Sequence, residues 1–216
     1  MIDILMYISN GLIIFSFIFY ILLIILYNKQ NTDISNGFNT TKDILHEYDS
    51  INIVENKGYL TVYDMKRRVI RIASNNYYGS SISNISIPLI EAGISAIDNY
   101  KNKYINFFRN LIPNLKLLYI LPIISIMINN MTYNFSDAKI SLVITSIFCI
   151  IGYILIKIKN EANNWLKNTI PKIKGTKKDI KEKILNFISY LNILDKIIFI
   201  GQSLIIIRCI AIILNF

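Results

Sequence analysis

The apolar run at residues 4–27, in which only Ser9, Asn10 and Ser16 are polar, decides what kind of fold is open to this chain. About 20 such residues wound as a helix cross roughly 30 Å of hydrocarbon, so the run reads as a transmembrane helix. A cleaved signal peptide fits less well. No Lys or Arg precedes the run, it is too long, and no small-x-small cleavage site follows it. Composition agrees: 53% of residues are hydrophobic and 17% charged, and the mean hydropathy is +0.44, more apolar than a soluble core requires. Three further stretches have spanning character, at 111–128, 140–158 and 197–214. The first of these carries Pro113, Lys116 and Pro122. Lysine near a helix end can snorkel to the interface, and proline is tolerated where neighbours resatisfy the freed backbone groups. A re-entrant pair of helices is the alternative there.

Loop lysines and arginines are retained on the cytoplasmic side of a membrane, which sets orientation. Residues 27–110 contain Lys29, Lys42, Lys57, Lys66, Arg67, Arg68, Arg71, Lys101, Lys103 and Arg109; residues 159–196 add Lys172, Lys174, Lys177, Lys178, Lys181 and Lys183. Between the second and third spans only Lys139 stands, balanced by Asp137. Four spans place both basic segments on one side, so both are expected in the cytosol with both termini outside. The net charge of +9 then follows from topology. Without any aromatic-lined RNA motif beside the charge, a nucleic-acid partner is not expected. Cys149 and Cys209 both fall within spans and read as buried thiols acting as small apolar residues.

The expected organisation is a span at 1–27, a soluble module at 28–110, two spans at 111–158, a basic helical segment at 159–196 and a last span at 197–216. Residues 28–39 are rich in Asn, Thr, Asp, Ser and Gly and read as a linker. A short helix follows, capped by Thr40 or Thr41, with Ile44, Leu45 and Tyr48 on one face. Residues 51–54, 59–63 and 69–73 read as short strands, the last two joined by a turn at 64–67. Ser80 or Ser81 caps the next helix, which runs to about Asn99 and which Pro88 would kink or restart. Pro171 and Gly175 break the lysine-rich stretch 168–183 between two helices. That stretch is a solvated loop, with attraction to anionic headgroups as its functional alternative.

The helix starting near Ser81 carries the most informative pattern. Gly79-Ser80-Ser81-Ile82 is followed, seven residues on, by Ile90-Glu91-Ala92-Gly93-Ile94. In the HExxH pattern two histidines four apart grip one zinc from one helix face, and the glutamate between them activates the metal-bound water. Here both histidine positions hold isoleucine, which has no lone pair. The register resembles the neutral zinc metallopeptidases of bacterial membranes, the YugP-like family, whose helix reads Gly-Ser-Ser-Ile and then His-Glu-x-Gly-His. Thr41-Lys42-Asp43-Ile44-Leu45 is similar to that family's first helix. Gly58-Tyr59-Leu60-Thr61 with Tyr63-Asp64 is similar to its Gly-His-Leu-Thr-Asp-His-Tyr-Asp-Pro hairpin, again without the histidines. The resemblance covers most of the chain. It implies a mainly α, polytopic membrane protein with about four transmembrane helices and a small cytosolic α+β, zincin-like module between the first two. It also implies zinc in the family, with Glu91 as the vestige of the catalytic glutamate.

Catalytic zinc needs three protein ligands, and the chain has one histidine, His46, about forty residues before the motif. Its default role is a surface or partly buried side chain. The family's third ligand resembles a glutamate after the third span. The matching stretch, Lys159-Asn160-Glu161-Ala162-Asn163, puts Lys159 at that position, while a two-residue shift would put Glu161 there. No zinc is therefore expected, and Ile90, Ile94 and Lys159 mark the lost ligand positions. If Lys159 holds that register, its ammonium replaces part of the lost positive charge beside Glu91; otherwise Glu91 faces water. Gly93 and Ala92 read as close-packing positions, and Arg208, inside the last span, reads as snorkelling toward the outer interface. Three functions compete. One is an inactive homologue kept as a binding or regulatory module for a peptide or membrane-protein partner. Another is an active peptidase using Glu91, Glu161 and Asp98 around a hard metal, and the third is a structural membrane scaffold.

Overall fold

A computed structural model describes residues 2–32, 36–46, 48, 51–99, 102–112, 114–173 and 176–214. Lys101, Pro113, Lys174, Gly175 and Phe216, and the middle of the 28–39 linker, lie outside the described residues. The chain is mainly helical, 78% helix, with one small sheet. Its helices are α1 (Ile2–Asn28), α2 (Gly37–Ile44), α3 (Ser74–Tyr78), α4 (Ile82–Asn99), α5 (Lys103–Arg109), α6 (Ile120–Met131), α7 (Phe135–Thr169) and α8 (Lys178–Leu214). The strands are β1 (Asn52–Asn56), β2 (Val62–Asp64) and β3 (Val69–Ala73).

Three of these helices, α1, α7 and α8, are long and apolar enough to cross a membrane, which fits a multi-pass membrane protein. Only 28%, 17% and 33% of their most apolar windows are buried within the protein. The remaining apolar surface is compatible with contact with a lipid bilayer. The stretch expected as a fourth span is a 3-10 turn at Leu115–Tyr119 that runs into α6, an apolar helix over Leu115–Met131 shorter than the other three. It rises about 28 Å, the lower edge of what spanning requires.

The contacts divide the chain into two units. The first consists of Met1–Ile21, Leu117–Ile156 and Ile193–Phe216. Its core is Ile13, Ile205 and Cys209, flanked by Phe17, Ile126 and Leu142. Gly201 of α8 lets α1 approach: a Cβ there would stand 2.7 Å from Ile13 Cγ1 and 3.1 Å from the Ser9 carbonyl oxygen. Small residues at such crossings are how apolar helices associate without a hydrophobic drive between them.

The second unit consists of Leu22–Lys116 and Lys157–Asn192. Its centre is α4, where every residue from 91 to 98 is buried. A helix apolar on almost all sides belongs in the middle of a fold. The expected cap is confirmed: Ser81 Oγ accepts the Asn84 N–H. Pro88 neither stops nor restarts α4. It has no N–H for the Asn84 carbonyl, and at that carbonyl Gly37, the first residue of α2, packs so closely that a side chain would collide with the backbone oxygens of Asn76 and Asn84. The helix α2 starts before the expected Thr40, because the Asn36 side chain caps it by accepting the Asn39 N–H. Thr40 and Thr41 instead turn their hydroxyls back onto the Asn36 and Gly37 carbonyls.

The sheet order is β1-β3-β2, with β1 parallel and β2 antiparallel to β3. Alternation on β3 buries Ile70 and Ile72 completely. Asp64 shapes the hairpin turn by accepting the N–H groups of Lys66 and Arg67. The end of α1 is tied directly to the start of α4. Ile82 N–H donates to the Gln30 carbonyl, Thr32 N–H to the Ser80 carbonyl, and Ser81 Oγ to Asn28 Oδ1.

Candidate functional site

Glu91 and Asp98 stand seven residues apart on α4, two turns along one face. Both are buried, at 5% and 1% exposure, where an unpaired carboxylate costs several kcal/mol. Each has its own cation, and those cations are also seven apart, on the stretch that leads from α5 into α6. Lys116 Nζ is 3.0 Å from Glu91 Oε1, and Arg109 pairs with Asp98.

One strand residue holds both carboxylates to the sheet. The Tyr63 N–H donates to Glu91 Oε2 at 2.8 Å, and the Tyr63 hydroxyl donates to Asp98 Oδ2 at 2.7 Å. Burial, reinforced by that hydrogen bond to Asp98, pushes the Tyr63 phenol far above its ordinary range, so it keeps its proton and remains a donor. Lys116 also donates to the Thr61 carbonyl. Thr61 in turn accepts the Ala73 N–H and the Asn76 amide on its own hydroxyl. The cluster thus links α4, β2, the start of α3 and the approach to α6 through its hydrogen bonds and ion pairs.

Two sequence expectations are corrected here. Glu91 has a cation beside it, Lys116, a residue the sequence reading had placed at the membrane interface. The face of α4 turned toward α7 is that of Gly93, where a Cβ would meet the Ala162 carbonyl at 3.1 Å and Leu166 Cδ1 at 3.2 Å. Glu91 does not face water. Lys116, expected to snorkel, turns its ammonium into the module, with only 23% of the side chain exposed. Gly93 and Ala92 serve close packing as expected.

Ile94 is buried at 4% exposure, and Ile90 is half-buried. Glu161 is exposed and accepts a hydrogen bond from Asn102, whose own Oδ1 caps α5. It does not join Glu91 and Asp98. His46 is exposed, with Nδ1 2.8 Å from the Asp43 carbonyl oxygen. Among the described residues no three His, Cys, Asp or Glu side chains converge.

Arg208 is a third correction. It does not snorkel: it is 2% exposed, and its guanidinium reaches the end of α6. Nη1 donates to the Asn129 carbonyl and to Asn129 Oδ1, at 2.8 and 2.9 Å, and Nη2 donates to the Thr132 carbonyl at 2.9 Å. These carbonyls carry the negative end of the α6 dipole, so a cation is favoured there. Asn129 passes the contact on through its amide to Ser9 Oγ and Asn10 Oδ1 of α1. Cys149 and Cys209 are buried free thiols, in contact with the Ser203 and Ser141 hydroxyls.

Sequence reasoning missed the roles of Lys116, Arg109 and Tyr63. A signal was available in the matched spacing of the two acids and two bases, which pairs antiparallel segments. Comparison with family models, with curated proteins and with solved structures finds no match for the chain.

Proposed function

We propose that this chain is a membrane-integrated relative of the neutral zinc metallopeptidases that has lost hydrolysis and acts as a binding or regulatory module. The soluble module lies in the cytosol, Leu115–Met131 makes a fourth crossing, and both termini lie outside. The single observation that supports the loss of hydrolysis best is the Glu91–Lys116 pair. A glutamate acting as general base needs a lone pair aimed at a metal-bound water. Here one oxygen of Glu91 is held by an ammonium at 3.0 Å and the other by a backbone N–H at 2.8 Å. The flanking positions are hydrocarbon. A tethered lysine supplies the positive charge, so the carboxylate keeps a structural task, fastening α4 to β2.

The test uses the full chain purified in detergent. Elemental analysis is expected to find zinc far below one ion per chain, and unfolded-protein or peptide substrates are expected to be cut no faster than in a protein-free control. One zinc per chain, or cleavage abolished by Glu91→Gln, would restore the active-peptidase alternative.

A further inference from the structure

The soluble module carries exposed apolar side chains on two segments that adjoin, along the chain or through Lys116, the start of the apolar helix Leu115–Met131. Lys116, the second residue of that helix, touches the Thr61 carbonyl, and the two residues before Thr61 turn apolar side chains outward. Tyr59 is 96% exposed and Leu60 63%. Their loop is built to hold them out. Asn56 Nδ2 donates to the Leu60 carbonyl and Asn56 Oδ1 accepts the Gly58 N–H, so the loop closes around one side chain. Lys57 on the same loop is exposed.

A second element carries exposed apolar side chains too. In α5, Ile105 and Phe108 are buried, while Lys103, Phe107 and Leu111 follow one another at four-residue spacing on the other side. Phe107 is 60% and Leu111 64% exposed. From Leu111 to Leu115 the backbone spans at most about 14 Å, so Leu111 lies within that distance of the start of the apolar helix. Water is a poor solvent for four such side chains, whereas the headgroup layer takes a tyrosine ring, flanking aliphatic groups and a lysine together.

We propose that Tyr59 and Leu60, with Phe107 and Leu111, form an interfacial anchor that seats the module in the phospholipid headgroup layer of the bilayer crossed by its own helices. Lys57 and Lys103 lie at the phosphate level, where each basic residue adds attraction to anionic lipid. The inference rests on the spanning helices and is independent of whether the Glu91 site is active.

The test reconstitutes the full chain in nanodiscs of phosphatidylcholine and phosphatidylglycerol. The one native tryptophan, Trp165, is replaced by phenylalanine, and a reporter is placed by Tyr59→Trp, with Leu60→Trp as a second reporter. Phe19→Trp on α1 reports the hydrocarbon. Nitroxide lipids labelled at the headgroup or deep in the acyl chain, and aqueous iodide, are the quenchers. The expected result is a blue-shifted emission at 59 and 60 that is lost to the headgroup label and resists iodide. Quenching of these two reporters by iodide and by neither lipid label, with the α1 reporter still quenched by the acyl label, would overturn the anchor while leaving the spans intact. If the α1 reporter also escapes the lipid labels, both the anchor and the spans fail.

Discussion

The two units of this protein bury charge in opposite ways. In the unit built around α4 each buried carboxylate meets a cation, Glu91 with Lys116 and Asp98 with Arg109. In the helical unit Arg208 is buried with no carboxylate in contact among the described residues, and is held by the carbonyls that end α6. The first solution uses full opposite charges brought together by a returning segment. The second uses the partial charges of a helix terminus, which need no second ionised group to be desolvated. Where apolar surface must also be presented to lipid, a cation held by dipoles avoids adding a second buried ion. Where a core already holds an acid, a tethered base satisfies it.

That comparison can be broken at both ends. Lys116→Met should have the largest effect, because it leaves Glu91 buried with only a backbone partner. A loss of about 3–5 kcal/mol is expected, read as a fall in the thermal midpoint of the purified chain; an unchanged midpoint would show that Glu91 escapes to water. Arg208→Leu should cost about 3 kcal/mol by orphaning the end of α6. Arg208→Lys should lose less, since it keeps the charge but only part of the fork of donors. If Lys and Leu behave alike, geometry and not charge holds that helix end.

Smaller effects follow. Gly93→Ala should cost about 1 kcal/mol, overpacking against the α7 backbone outweighing the gain in helix propensity. Stabilisation would mean that α7 can withdraw from α4 freely. Tyr63→Phe should cost about 1 kcal/mol at neutral pH by removing the hydroxyl that serves Asp98. It should also change the alkaline limb. The folded phenol is raised above its ordinary value, so its contribution is fully present below about pH 10 and is lost as pH rises further, because the unfolded chain releases that proton first. The native protein should therefore lose stability above about pH 10 more steeply than the variant, as read by alkaline unfolding curves.

Much of this was readable in the residues. The α1, α7 and α8 segments announced themselves by unbroken apolar length, and α4 by the Ser81 cap and by its spacing. Boundaries slipped where local chemistry competed. Asn36 displaced Thr40 as a cap because its side-chain oxygen reaches the Asn39 N–H one turn earlier. The partners of the buried charges were not readable in the same way. Lys116 followed Pro113 at the edge of an apolar run, the ordinary setting of a snorkelling lysine. Only the fold brings it to a carboxylate 25 positions away. Arg208 looked close enough to the chain end to reach water, and what holds it is a helix terminus whose position no local pattern encodes.

The most direct test is a double-mutant cycle on Glu91 and Lys116, with methionine at each position singly and together, followed by equilibrium unfolding. A matched structural pair predicts that the double variant recovers most of what Lys116→Met loses, with a coupling of about 3 kcal/mol. Additive losses, with no recovery in the double variant, would contradict it and return Glu91 to some task other than its bond with Lys116.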